Sequence, residues 1–380
     1  MARRIKVVAD NKIPFLQGVL EKRAEVIYLP AHEITRESIL DADALIVRTR
    51  TRCDRQLLEG TAVRFIATAT IGFDHIDSAY CESKNIVWKN AEGCNSSSVQ
   101  QYIAAALLKL AEVSKIELAG KTIGIVGVGH VGSKVASLCE ALGMNVLLND
   151  PPRARSEGTK DFVSLDRIVR DSDIITFHVP LNLEGEDKTF HLVDESFLLK
   201  LRTDQMLINS SRGEVVDNDA LKALLKDRRL GLCALDVWEG EPKIDTQLMG
   251  LVRIGTPHIA GYSADGKANG TSMSVQALSR QFGFDLDSWF PEKVPLPAST
   301  FLELDCRGLT QQEAITILVQ RTYDILIDDA RLRLSPNSFE RQRGEYPLRR
   351  EFPTYTVRLL NAPEHLPTLV KKFGFKTMEE

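Results

Sequence analysis

Apolar and polar positions along the chain alternate between two periods. Short runs rich in β-branched residues, Ile5–Val8, Val26–Leu29, Ala44–Val47 and Phe65–Thr68, read as buried parallel strands with helical stretches between them. A long apolar helix is expected from about Ser97 to Val113, capped by Asn95 or Ser96. After it Thr122–Val126 opens a second strand–helix series, continued by Asn145–Leu148, Ile174–His178, Met206–Asn209 and Cys233–Asp236. This rhythm predicts two doubly wound α/β domains with a cleft between them. Prolines in Val294–Ala298 suggest a linker. Beyond it come a strand over Phe301–Leu304, a helix over Gln311–Ile327, a polar Arg-rich stretch, a strand over Tyr355–Leu359 and a short helix over Leu366–Phe373, enough for a small α/β domain.

The 380-residue length agrees with two or three domains. With 43% hydrophobic and 26% charged residues the chain reads as globular, and a formal net charge of −4 gives no basic field for nucleic acid. The start of the chain carries no secretory signal pattern, and no uncharged run is long enough to span a membrane. Six scattered cysteines without CxxC or zinc spacing predict reduced, buried thiols in a cytoplasmic protein with no metal site.

The strand Thr122–Val126 runs into Gly127-Val128-Gly129-His130-Val131-Gly132 and then an amphipathic helix, the context that gives a GxGxxG spacing its meaning. Gly127 permits a tight turn, Gly129 lets a pyrophosphate approach the backbone, and Gly132 lets helix and strand pack closely. The helix start offers free N–H groups to the anion. The next strand ends at Asp150, a carboxylate placed to accept from ribose hydroxyls and to repel a 2′-phosphate, which favours NAD over NADP. Arg153 and Arg155 follow closely and could soften that preference.

Arg212, Glu241 and His258 each stand just after an expected strand, where open α/β sheets place their ligand crevice. Removing hydride from a hydroxyl-bearing carbon requires a base for the hydroxyl proton, and histidine suits that near neutral pH. A carboxylate can orient the ring, and an arginine can grip a substrate carboxylate.

In the segments Asn209-Ser210-Ser211-Arg212-Gly213, Leu235-Asp236-Val237-Trp238-Glu239-Gly240-Glu241-Pro242 and Thr256-Pro257-His258 the chain resembles the D-isomer-specific 2-hydroxyacid dehydrogenases, over roughly Ile5 to Thr271. The resemblance implies a Rossmann-type cofactor domain at 96–259 and a flavodoxin-like substrate domain at 1–95 with 260–285, leaving 286–380 as a C-terminal domain. It implies that Arg212 binds substrate, that Glu241 pairs with His258, and that His258 is the acid/base. It further implies NAD contacts at Gly127, Gly129, His130, Val131, Gly132, Asp150, Val179, Ser210, Ser211, Arg212, Asp236 and Gly261, and substrate contacts at Thr49, Thr70 and Tyr262, to which the basic run after the third strand adds Arg48. Glu92 stands where relatives usually have proline, and Thr49 where serine is common.

The tail segments Tyr323-Asp324, Asp328-Asp329-Ala330-Arg331 and Tyr346–Phe352 are similar to one branch of that family. That similarity implies a small phosphorylated 2-hydroxy acid as substrate and a homodimer formed through the tail. For the phosphate, Arg48, Arg50 and Arg52 would share one face of a strand, and Arg349-Arg350 could reach a partner subunit's cleft. The alternatives are a family member acting on another 2-hydroxy acid and a non-catalytic NAD-sensing binding protein on the same fold.

Overall fold

The computed structural model describes residues 3–378. It divides into two compact units, Met1–Asn95 with Ser263–Pro295, and Ser96–Tyr262 with Leu296–Glu380.

The first unit is built on five parallel strands, β1 (Lys6–Asp10), β2 (Glu25–Leu29), β3 (Ala44–Val47), β4 (Phe65–Thr68) and β5 (Val87–Asn90). Their order β2-β1-β3-β4-β5 is that of a flavodoxin-like sheet. β3 and β4 are buried throughout, which is why they read as unbroken apolar runs. The edge strand β5 alternates between exposed and half-buried positions, so its apolar signal is weak and the hydropathy pattern missed it. The returning helix Ala264–Phe282 starts on a Ser263 cap and packs Val275 and Leu278 against the sheet. Gly270 allows this closeness, since a Cβ there would lie 2.7 Å from the Ala69 carbonyl.

The second unit carries six parallel strands, β6 (Thr122–Val126), β7 (Asn145–Asn149), β8 (Ile174–Phe177), β9 (Met206–Asn209), β10 (Cys233–Leu235) and β11 (Ile254–Gly255). The order is β11-β10-β9-β8-β6-β7. The place of a further strand beyond β7 is taken by one backbone bond, from Val163 N–H to the Leu148 carbonyl at 2.7 Å. Strand order reverses between β6 and β8, and the carboxyl ends of the strands around that switch point are where such sheets bind ligands.

The long helix Ser96–Ser114 is buried on nearly every face. Ile103, Leu107 and Leu110 share a core with Ile123 and Ile125 of β6 and also with Leu304, Ile315, Leu318, Val357 and Phe373 of the tail. A helix apolar all round needs partners on all sides, and the tail supplies one of them. The tail, read from the sequence as a domain of its own, thus joins the second unit. It holds three parallel strands, β12 (Phe301–Asp305), β13 (Thr356–Leu360) and β14 (Lys376–Thr377), in sequential order.

One tail expectation needs correcting. The helix expected over Gln311–Ile327 is two helices, Gln311–Thr322 and Ile325–Leu334. Tyr323 turns extended and the Asp324 carboxylate accepts from the Leu326 amide, capping the second helix. The Arg-rich stretch beyond is helical again at Phe339–Gly344. Among the described residues no helix is long and apolar enough to cross a membrane, and no cluster of three His, Cys, Asp or Glu side chains could hold a metal ion.

Candidate active site

Three glycines shape the loop after β6, each for a different reason. Gly127 has φ +88°, a conformation that L side chains rarely adopt, and a Cβ on it would sit 2.6 Å from the His178 carbonyl oxygen. A Cβ on Gly132 would come within 2.0 Å of the Gly127 carbonyl, so the helix His130–Ala141 could not pack on the loop with any other residue there. A Cβ on Gly129 would meet nothing within 4 Å. Gly129 is thus free of protein demands and open on its outer side, as a cradle for a pyrophosphate requires. His130 and Val131 form the first turn above it.

Asp150 follows β7. Its Oδ2 accepts from the Val128 amide at 2.8 Å and its Oδ1 from the Arg153 amide at 3.1 Å, which holds the carboxylate beside the glycine loop. The two nearby arginines are both engaged: Arg153 grips Glu157 through Nε and Nη2, each at 2.7 Å, and Arg155 pairs with Asp187. Neither stands as an unpaired cation for a 2′-phosphate.

After β8, Val179 packs its Cγ1 against the Gly127 turn. The adjacent His178 is held by Thr176 at 3.1 Å, and burial pushes its pKa down to about 3. Burial thus disfavours its charged form. After β9, Asn209 clamps the next loop: its Oδ1 accepts from the Ser211 amide at 3.0 Å and the Ser211 hydroxyl at 2.7 Å, and its Nδ2 donates to the Arg212 carbonyl at 2.8 Å. The Ser210 hydroxyl is buried without a hydrogen-bond partner in the chain. A buried orphan of that kind calls for a ligand, and together with the open Gly129 it fits a dinucleotide. Gly213 lets the Arg212 loop rest on Trp238, whose carbonyl carbon would lie 2.1 Å from a Cβ.

Trp238 also ties the Arg212 loop to Glu241, because its amide donates to Glu241 Oε1 at 2.9 Å. Glu241 Oε2 lies 2.7 Å from His258 Nδ1. Burial pushes the Glu241 carboxyl up. The His258 hydrogen bond and charge, the Trp238 amide and the Arg343 guanidinium together outweigh it and hold the carboxyl below its ordinary range. His258 sits at φ +55°, unusual for a residue with a side chain. Its amide donates to the Asp236 carbonyl at 2.7 Å, and the Asp236 carboxylate accepts from Thr256 Oγ1 and from the Ile259 and Ala260 amides at 2.7–2.8 Å. Asp236, expected as a cofactor contact, is only 1% exposed and visibly orders the backbone on both sides of His258. Tyr262 lies past Gly261, edge-on to Tyr346 at 5.8 Å. The Thr256 brace and Arg343 were not among the residues singled out from sequence, because no local motif marks them.

In the first unit the chain beyond β3 turns, closed by the Thr51 amide on the Arg48 carbonyl at 3.1 Å. The expected strand face of three arginines therefore does not form. Arg48 donates through Nε and Nη2 to the fully buried Asp10 at 2.9 and 3.1 Å, and Arg52 pairs with Asp54 at 3.0 Å. Thr49 is exposed in this turn. Thr70 belongs to a relay. Its hydroxyl donates to the Gly72 carbonyl at 3.1 Å, so Thr68 must donate to Thr70 at 2.8 Å and His75 Nε2 to Thr68 at 3.0 Å. Of the second arginine pair, Arg349 is engaged within its own chain. The Arg349 side chain is buried inside its own unit, where it donates to the Ile259 and Ala260 carbonyls, and Arg350 is buried beside it.

Residues 95–260 match the family described as the D-isomer specific 2-hydroxyacid dehydrogenase NAD binding domain, and residues 295–374 match a domain of unknown function. Among solved structures, a D-lactate dehydrogenase from Aquifex aeolicus, crystallised with NAD and lactic acid, is 25% identical with a TM-score of 0.61, over 74% of this chain and 96% of that one. The 3-phosphoglycerate dehydrogenase of Entamoeba histolytica, at 23% identity and a TM-score of 0.63 over 77% of this chain and all of its own, shares the fold. These findings define an NAD-dependent oxidoreductase of the 2-hydroxyacid dehydrogenase class. The erythronate-4-phosphate dehydrogenase of Bacteroides fragilis is 50% identical over 93% of this chain and 99% of its own length, and that of Pseudomonas putida 42% identical over 97% and 98%. The chain belongs to the erythronate-4-phosphate dehydrogenase family.

Proposed function

We propose that this protein oxidises 4-phospho-D-erythronate at C2 to (R)-3-hydroxy-2-oxo-4-phosphooxybutanoate in pyridoxal 5′-phosphate biosynthesis. The His258–Glu241 pair carries the chemical reading. With Nδ1 donating to Glu241, the imidazole presents Nε2 as the basic nitrogen. Nε2 takes the C2 hydroxyl proton as the C2 hydrogen leaves with its electron pair. Bound NAD supplies the hydride acceptor. Glu241 stabilises the imidazolium that forms, and Arg212 holds the substrate carboxylate and polarises the emerging carbonyl oxygen. Gly127, Gly129, His130, Val131, Gly132 and Asp150 are assigned to the dinucleotide, with Val179, Ser210, Ser211, Asp236 and Gly261. Arg48, Thr49, Thr70 and Tyr262 are assigned to the substrate.

The reading extends to a substrate domain at 1–95 with 260–285, a cofactor domain at 96–259 and a dimerising region at 286–380, in a cytoplasmic homodimer. Exposed Ile327, Leu334 and Leu348 support the dimer, and six free, buried cysteines support a reducing compartment.

The test is turnover of 4-phospho-D-erythronate beside 3-phosphoglycerate, followed as NADH or through a 2-oxo acid acceptor. Preference for the four-carbon acid is expected. Preference for 3-phosphoglycerate, or turnover of neither despite NAD binding, would overturn the assignment.

A further inference from the structure

The tail region matching a domain of unknown function places one cation directly behind the His258 segment. Arg349 is only 5% exposed. Its Nη2 donates to the Ala260 carbonyl at 2.5 Å, to the Ile259 carbonyl at 3.2 Å and to the Ser98 hydroxyl. Ser98 in turn donates to the same Ala260 carbonyl at 2.9 Å. The guanidinium lies over the rings of Tyr323 at 4.5 Å and Tyr346 at 5.7 Å. Both tyrosines donate to the buried Asp328, at 3.1 and 2.6 Å. The amides of the same two residues, Ile259 and Ala260, are taken by the Asp236 carboxylate. The backbone after His258 is thus strung between a buried carboxylate that holds its N–H groups and a buried guanidinium that holds its C=O groups.

Physical chemistry gives this arrangement a purpose. His258 stands in the left-handed region, which a residue with a side chain keeps only when its surroundings over-determine it. Asp236 fixes the amides, while the carbonyls take neutral donors, the Tyr262 amide on Ile259 at 2.8 Å and the Ser98 hydroxyl on Ala260 at 2.9 Å. Arg349 adds charge-assisted bonds to both carbonyls from the single nitrogen Nη2, its Nε and Nη1 having no partner in the chain, and its flat guanidinium lies against the Tyr323 and Tyr346 rings in a contact that lysine does not reproduce.

We propose that Arg349 is a positioning residue for the reaction: it holds the Ile259–Ala260 peptides so that the His258 imidazole keeps its aim, which makes the tail part of the catalytic scaffold of the same chain. This rests on His258 being the acid/base.

The test compares Arg349→Ala, Arg349→Lys and Ser98→Ala with His258→Ala, reading kcat, KM, the pH profile of kcat, NADH binding and thermal melting. In folded Arg349→Ala, kcat is expected to fall about 10- to 100-fold, the cost of a misplaced catalytic group. KM and NADH affinity should stay near wild type, and the limb of the kcat profile set by the histidine should move. Millimolar guanidinium ion should restore part of kcat while methylammonium does not, and Arg349→Lys should rescue little. A folded Arg349→Ala with wild-type kcat, or one with lost kcat, an unmoved pH limb and no response to guanidinium, overturns the proposal. If Arg349→Ala does not fold, Ser98→Ala decides: a lowered kcat with a shifted limb is expected, and wild-type values overturn it. Full turnover in His258→Ala would bring down the underlying reading too, whereas a dead His258→Ala beside an unaffected Arg349→Ala brings down only this one.

Discussion

Glu241 Oε2 stands 2.7 Å from His258 Nδ1, while the other Glu241 oxygen is held by the Trp238 amide. The carboxylate is pinned at both ends, so the ring has one orientation and one tautomer. His258→Ala should lower kcat about 100-fold or more, the usual worth of a positioned acid/base. Glu241→Gln should lower kcat less and leave NADH binding unchanged. Steady-state kinetics with a cofactor titration check both, and wild-type turnover in His258→Ala removes the histidine from the mechanism.

The same pair fixes a pH dependence of stability. The folded-state pKa of Glu241 lies below its ordinary 4.5. A depressed carboxyl binds fewer protons folded than unfolded, so its contribution is complete above that ordinary value and is lost as pH falls through the folded value. Melting curves for the wild type and Glu241→Gln should therefore differ most above 4.5 and converge on further acidification. A gap that widens on acidification would contradict the sign.

Two of the loop glycines should respond oppositely to one methyl group. Gly132→Ala puts carbon 2.0 Å from the Gly127 carbonyl, a backbone clash that only displacement of the loop relieves, so a loss of about 1–3 kcal/mol is expected. Gly129→Ala meets no protein atom and should melt within about 1 kcal/mol of wild type, yet bind NADH at least several-fold more weakly. Calorimetry and fluorescence titration separate the two. Unchanged NADH affinity in Gly129→Ala would remove that residue from the pyrophosphate cradle.

Arg48 is the partner of a fully buried carboxylate, Asp10. Arg48→Ala leaves that charge uncompensated and should cost about 3 kcal/mol, on top of any change in KM. If KM rises while the melting temperature stays put, Arg48 serves the substrate alone.

The sequence disclosed what local rules govern. β6 (Thr122–Val126), the glycine loop and the acid after β7 were legible because a buried parallel strand is continuously apolar and a phosphate-type turn demands glycine. Arg212, Glu241 and His258 were legible as types standing at strand ends. The arginine face after β3 was misread because strand periodicity was extended past Val47, where the pull of the buried Asp10 carboxylate on Arg48 and a closed turn take over. Arg349 could not be placed from sequence. Nothing local distinguishes a tail arginine on the surface from one clamped to carbonyls some 90 positions earlier in the chain. The break at Tyr323 has a comparable origin: the Asp324 cap was legible only once the tyrosine was seen to be pinned by Asp328.

Both units are discontinuous in sequence, and the core around the helix Ser96–Ser114 is closed by residues as late as Phe375. Domains generally fold as they leave the ribosome, amino-terminal parts first. Here that order is denied: the first unit waits for Ser263–Pro295, and the second for the segment that begins at Leu296. A nascent chain stopped at Tyr262 would carry Arg212, Glu241 and His258 and still lack one wall of its core. Ribosome-bound truncations should stay protease-sensitive until the tail has emerged, so that synthesis of the tail is itself a condition of a closed core around the Ser96–Ser114 helix.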